Sequence, residues 1–255
     1  MHFAATILPA LGTLIGSAQA IVKALDLSQP QGTSVWTCVQ GQSFLKGVPR
    51  LYQEACGVYL LPAPLPPLLH QNLTNPQLGG RIDPNFITSY NQIRASGIKD
   101  IDGYFFPCTG STHNCKSPAA QVSEIVYFLA VNNIIVKRLW LDLEPPGPGS
   151  PCQGWNYGAT QNTALARQFA TAIKATGLKW GIYANGNQWT TMFGSRSVDI
   201  ASDLPLWAVQ WDGVPTLGSV HTFMGGWTTA FAKQYGQSTG GCAPAGAFDL
   251  NVFTE

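Results

Sequence analysis

Asp142 and Glu144 stand at alternate positions at the end of an apolar run, "VKRLWLDLE", and a Pro- and Gly-rich loop, "PPGPGSP", follows at once. Alternate residues of a β-strand share a face, so the two carboxyl groups project together where Pro145 stops the strand. Charge beside a core is costly unless it is used. Two carboxyls held close in a partly apolar rim have their pKa values pushed apart, so one keeps a proton near neutrality. A proton donor beside an anionic partner is what cleavage of a glycosidic bond requires. On this reading Glu144 has the raised pKa and Asp142 remains ionised.

Two further acids have similar settings: Asp26 in "VKALDLS" and Asp249 in "AFDLNVF". Asp102 in "IDGYFF" and Asp212 in "VQWDG" are weaker candidates. A D-x-E pair alone carries little weight, because strand ends often hold solvated carboxylates. Three acid-bearing apolar strands that end in loops carry more. Oxygen-rich clusters can also hold Ca²⁺ or Mg²⁺, but nothing here follows a calcium-loop pattern, and no metal or cofactor is expected. Aromatic residues accompany the acids near strand ends, among them Tyr104, Trp140, Tyr183, Trp207 and Trp211. Each by itself fits a core position, but together they suit sugar rings, whose C–H faces stack on π surfaces. There is no G-x-S-x-G elbow, no phosphate-binding G-x-x-x-x-G-K-[ST] loop and no G-x-G-x-x-G turn.

The elements that must position these groups alternate. Strand-like runs recur at "IVKALDLS", "GVPRLYQ", "IDGYFFP", "VKRLWLDLE", "KWGIYAN", "LPLWAVQWD", "FAKQYG" and "AFDLNVF". Helical patterns span 84–97, 121–133 and 162–177, with Pro at the start of the first and Gly at the ends of the first and third. Strand alternating with helix predicts an α/β fold built on a parallel sheet, closed into an irregular, flattened TIM-like (β/α)-barrel whose last strands lack helices. In such a barrel the C-terminal strand ends carry the active site. Pro49 is expected to interrupt the second strand.

The spacing has one misfit. About fifty residues separate "RLYQ" from "IDGYFF", beyond the usual βαβ interval. The excess lies in a Pro- and Leu-rich stretch over 58–78 that contains the sequon Asn72-Leu73-Thr74. It reads either as a surface lid or, over 58–77, as a retained intron, because its removal restores normal spacing.

The chain has 255 residues, 45% hydrophobic and 11% charged, with a formal charge of +1. One full-sized domain over 21–255 fits these values, and no bulk attraction to nucleic acid or membrane follows from them. Residues 1–20 read as a secretory signal ending in Ala18-Gln19-Ala20, although the first residues lack Lys and Arg. Six cysteines remain: Cys38, Cys56, Cys108, Cys115, Cys152 and Cys242. An even count in a secreted chain predicts disulfides, with Cys108–Cys115 the local pair and the other pairings open.

The motifs "YFFPC", "LWLDLE", "GIYAN", "QWTTMFG", "LPLWAVQWD", "FMGGW", "KQYG" and "FDLN" occur in an order that resembles glycoside hydrolase family 25, the Chalaropsis-type lysozymes, in eukaryotic secreted form. The resemblance covers nearly all of the chain after residue 20 except 58–78. It implies N-acetylmuramidase activity on peptidoglycan glycan strands by a secreted, extracellular, monomeric enzyme. By motif position it implies Glu144 as general acid. Asp142 then steadies the substrate's own 2-acetamido group, and Asp26 and Asp249 are the remaining active-site acids. Asp26 as base for direct water attack is also compatible, which leaves retention or inversion open. Tyr104, Tyr183, Trp207 and Asp212 are the expected substrate-binding residues. Two competing readings are a chitinase-like glycosidase, for which "RLWLDLE" lacks the usual longer acidic run, and a catalytically silent glycan-binding protein, which would need no such acids.

Overall fold

The computed structural model describes residues 20–55, 79–111, 114–147, 150 and 152–254. The segment read as a secretory signal, apart from Ala20, and the 58–78 stretch with its sequon lie outside the described residues.

The elements, in chain order, are β1 (Ile21–Leu27), α1 (Thr33–Gly41), β2 (Phe44–Gln53), β3 (Arg81–Ile82), α2 (Phe86–Ala95), β4 (Asp100–Ile101), β5 (Gly103–Phe105), α3 (Pro118–Val131), β6 (Leu139–Leu143), α4 (Ala159–Ala175), β7 (Trp180–Ala184), α5 (Gly186–Phe193), β8 (Leu206–Val209), β9 (Ala232–Gln237) and β10 (Asp249–Thr254). The strand order β1-β10-β9-β8-β7-β6-β5-β2, closed by pairing of β1 with β2, makes an eight-stranded barrel. The short β3 pairs with the end of β2 outside the ring.

The helices predicted at 84–97, 121–133 and 162–177 correspond to α2, α3 and α4. The expected Gly stops hold for α2 and α4, where Gly97 and Gly177 take positive φ just past the helix ends, whereas α3 starts three residues before the expected 121. Ser117 Oγ accepts from the Ala120 N–H at 3.2 Å, with Pro118 in the first turn of α3. Helices α1 and α5 were not anticipated: α1 has no side-chain cap, and α5 is only 8 residues long.

Two expectations need correction. The sheet is not wholly parallel, because β10 runs antiparallel to both β9 and β1. The β9–β10 connection is a hairpin-like excursion in which Ser238 N–H donates to Phe248 O at 2.9 Å, too short for a crossover. Nor does Pro49 interrupt β2, where it sits opposite Leu27 of β1. An extended backbone accommodates the fixed proline φ, and the register irregularity with β5 falls just beyond it, between Arg50 and Tyr52.

Side chains alternate between two cores. Outward-facing Leu139, Leu141 and Leu143 of β6 join the layer between barrel and helices, while Trp140 joins Ala24, Val48, Trp207 and Phe253 inside the barrel. Trp140 fills the centre because its neighbour in register is Gly181, where an added Cβ would come within 2.2 Å of the indole. Below this plug, Lys46 Nζ contacts Asp100 Oδ1 at 2.6 Å and Asp102 Oδ1 at 2.9 Å, and Trp140 Nε1 donates to Asp102 Oδ2 at 2.8 Å. Disulfides join Cys108 to Cys115, as expected, and Cys38 of α1 to Cys242 in the β9–β10 connection. Cys152 is disulfide-bonded as well.

Candidate active site

Above the aromatic plug, at the C-terminal ends of the parallel strands, the inward positions turn from apolar to acidic. β1 contributes Asp26 and β6 contributes Asp142, with Glu144 just past its end. Because β10 is reversed, its first residue, Asp249, reaches the same end of the barrel and stands directly opposite Asp26 in the β1–β10 ladder. The four acids line one cleft of about 310 Å³ together with Tyr104, Tyr183 and Trp207. The alternation argument therefore holds: Asp142 and Glu144 face one space and share it with Asp26 and Asp249.

The structure adds residues that sequence reasoning passed over. Arg50 of β2 and Glu54 just beyond it also line the cleft, which makes five carboxyl groups around one guanidinium. That guanidinium is already engaged, since Arg50 Nε binds buried Asp83 at 2.6 Å. Glu54 accepts from Ser150 Oγ at 3.1 Å, a contact that ties the loop after β6 to the end of β2. The visible signal for Arg50 was a charge inside the apolar run "GVPRLYQ".

Two amides organise the deeper acids. Asn251 Nδ2 donates to Asp26 Oδ1 at 2.6 Å, and Trp207 Nε1 holds Asn251 Oδ1 at 2.9 Å. Gln234 Nε2 donates to Asp26 Oδ1 at 3.1 Å and to Asp249 Oδ2 at 3.4 Å. Its Oε1 in turn accepts from Tyr183 Oη at 3.0 Å and Trp211 Nε1 at 2.8 Å. The amide is thus oriented from both sides, and Tyr183 and Trp207 act on the acids through Gln234 and Asn251 as well as lining the cleft.

Crowding sets the protonation. Burial raises the Asp26 pKa to about 6 despite the amide hydrogen bonds that oppose it. Burial, then the Asp26 charge, raises Glu144 to about 7, while a hydrogen bond with Gln188 draws it back. Gln188 sits in the first turn of α5, which is capped by Asn185 Oδ1 through the Asn187 and Gln188 N–H groups at 2.9 and 3.3 Å. Trp155 Nε1 donates to the Glu144 carbonyl at 3.0 Å and steadies the strand end. Burial, then Asp26 and Glu144, raises Asp249 to about 7.

Asp142 departs from expectation. Burial first, then the charges of Glu144 and Asp26, push its pKa well above the usual carboxylate range, and Arg50 offsets this only in part. Asp142 Oδ1 is buried with no hydrogen-bond partner among the described residues. The free cleft thus favours a proton on Asp142 rather than the anion anticipated from the strand alone.

Asp212 is also placed differently. It does not line the cleft but binds Lys233 Nζ at 2.6 and 2.8 Å, in the connection between β8 and β9. A completely buried ammonium needs an anion more than a solvated loop needs one, so Lys233 captures it. Asp102 belongs to the base of the barrel. No group of three or more His, Cys, Asp or Glu side chains fit to hold a metal occurs among the described residues.

A family profile described as Lysozyme-like protein 1 matches residues 70–235. Probable GH family 25 lysozyme 4 of Dictyostelium discoideum is 26% identical over 240 residues, covering 94% of this chain and 93% of the relative. Probable GH family 25 lysozyme 2 of the same organism is 32% identical over 174 residues, covering 68% of this chain and 74% of the relative. Among solved structures, a muramidase from Acremonium alcalophilum superposes with a TM-score of 0.59 at 16% identity, covering 92% of this chain and 94% of that one. At that identity the superposition establishes the shared barrel fold.

Proposed function

The chain belongs to the family 25 lysozymes, which are glycoside hydrolases, and from that premise we propose that it is secreted and cleaves the β-1,4 bond between N-acetylmuramic acid and N-acetylglucosamine in peptidoglycan. The observation that carries the reading is the convergence of Asp26, Asp142, Glu144 and Asp249 on one cleft at the barrel mouth. The signal-like N-terminus and the Cys38–Cys242 and Cys108–Cys115 bridges support an extracellular site of action.

The chemistry follows from the charge states. Glu144, with its pKa near 7, holds a proton for the glycosidic oxygen. As the bond from that oxygen to the anomeric carbon breaks, the departing sugar takes this proton, and the substrate's acetamido oxygen bonds to the anomeric carbon. The family resemblance assigns Asp142 to steady that acetamido group. Its unpartnered Oδ1 is a ready acceptor for the acetamido N–H, and a hydrogen bond to the anion favours the ionised form that burial opposes. Positive charge growing on the acetamido group strengthens this contact in the transition state, where it counts toward rate. Water then opens the intermediate and returns a proton to Glu144. Asp26, whose pKa of about 6 is the lower, supplies negative charge near the reacting centre, and Gln234 links it to Asp249.

Product analysis tests the reading. Purified peptidoglycan treated with the protein should yield new reducing ends on muramic acid, and Glu144→Gln should lower turnover by about 10²–10⁴-fold while the fold persists. New reducing ends on N-acetylglucosamine, release of sugars from chitin but not from peptidoglycan, or near-normal wall lysis by Glu144→Gln would contradict it.

A further inference from the structure

Trp211 follows β8 by two residues and is 56% exposed, yet it is tightly held. A single exposed aromatic needs no explanation by itself. The manner of holding does. Its indole Nε1 donates to Gln234 Oε1 at 2.8 Å, and the same amide carries Asp26 and Asp249 on its nitrogen. One edge of the indole is therefore one hydrogen bond from a residue that lines the acid cleft.

The connection that bears Trp211 is locked from below. Lys233 is fully buried, and its Nζ donates to both Asp212 oxygens, to Val214 O at 2.9 Å and to Ser219 Oγ. Asp212 Oδ1 also accepts from the Val214 N–H at 2.8 Å, and Gln210 Nε2 reaches Asp212 Oδ2 at 2.6 Å. Gly213 N–H donates to Tyr235 O at 2.9 Å. Burying an ammonium is expensive and is unusual merely to shape a surface loop. Here that expense leaves an apolar ring in a fixed position at the rim of a polar cleft.

An immobilised, half-exposed indole loses little conformational entropy on binding and offers a flat π surface to the C–H face of a pyranose ring. Aromatics with one pinned polar edge and one free face are well suited to partly wet binding surfaces. We propose that Trp211 is a preassembled stacking platform for a sugar of the glycan strand beyond the acids, and that the Asp212–Lys233 pair is the positioning device that holds it. The proposal rests on the glycan-hydrolase reading above and extends it to a subsite that favours long strands over short ones.

Binding to the slow variant Glu144→Gln tests it, with calorimetry on purified peptidoglycan glycan fragments of two and six sugars. The parent should bind the hexasaccharide more tightly than the disaccharide. Adding Trp211→Ala should weaken hexasaccharide binding by roughly tenfold and disaccharide binding by less than about threefold, while Trp211→Phe retains most of the affinity. Asp212→Asn should weaken hexasaccharide binding partly and add nothing once Trp211 is already Ala, which a loop acting only on stability would not do. Equal hexasaccharide affinity with Trp211 or Ala at that position overturns the platform and leaves the glycan-hydrolase reading intact. Failure of the parent to bind either fragment overturns both.

Discussion

The two ends of the barrel bury acids in opposite ways. At the base, Asp100 and Asp102 sit against Lys46, and Asp102 also accepts from Trp140 Nε1. Lys46 Nζ further lies 5.2 Å from the Phe253 ring centre, so the cation is matched by carboxylates and an aromatic face. At the mouth, five carboxyl groups share Arg50, whose Nε is committed to Asp83. The base satisfies its charges and gains a closed floor. The mouth buries its acids without matching their charge, which lowers stability and holds protons near neutral pH. A buried acid is therefore a clue to function only when its counter-charge is missing.

This contrast can be broken at either end. The largest effect on catalysis is the loss already stated for Glu144→Gln. The largest effect on stability lies at the base: Lys46→Met leaves buried Asp102 without its ammonium, while Asp100 keeps Lys137 Nζ at 2.7 Å, and should cost about 3–5 kcal/mol, read from denaturant melts. A neutral result there would mean that the floor is not held by charge.

A smaller effect sharpens the comparison through pH. Glu144 has a folded pKa raised from 4.5 to about 7, so its contribution favours folding at low pH and is lost as pH rises from about 4.5 through about 7. Glu144→Gln removes that loss. The variant should melt higher than the parent at pH 8, by about 2–4 °C for each kcal/mol recovered, with the difference vanishing near pH 4. A variant that melts lower at pH 8 would show that the mouth is not under electrostatic strain.

The smallest effect concerns the hairpin beside the cleft. Gly80 N–H donates to Glu54 O at 2.7 Å, and β2 pairs with β3 through Tyr52 with Ile82 and Gln53 with Arg81. The two flanks of the 58–78 stretch are thus already joined. Deleting Val58–Gln77 should leave wall lysis within about twofold and shift Tm by no more than about 2–4 °C, the scale of a loop-closure term. Loss of folding or activity would show that the stretch is integral to the protein and would end the retained-intron reading.

Much of this site could be read from the chain because strand alternation is a local rule. "LWLDLE" places Asp142 and Glu144 on one face whatever surrounds it, and the apolar runs ending in Asp26 and Asp249 mark two more strand ends. Reversal of β10 depends on how short its connection is in space, so Asp249 reached the right end in an unforeseen direction. The Asp142 charge state was misjudged for a different reason. It depends first on burial inside the closed barrel, and then on Asp26 and Glu54 arriving from β1 and the end of β2 to add to the charge of neighbouring Glu144. Asp212 was misplaced because its partner, Lys233, is 21 residues away and buried. Helix α1 and the short α5 lack a long apolar stripe, and their packing against the barrel decides them.

Burial at the barrel mouth, with the Asp26 charge beside it, keeps a proton on Glu144 near neutral pH. Carbon-13 NMR titration of the labelled Glu144 side-chain carboxyl in the free protein measures this directly, with Glu144→Gln identifying the resonance. The account predicts a midpoint near 7, well above the ordinary glutamate value of 4.5. A midpoint near 4.5 would contradict it.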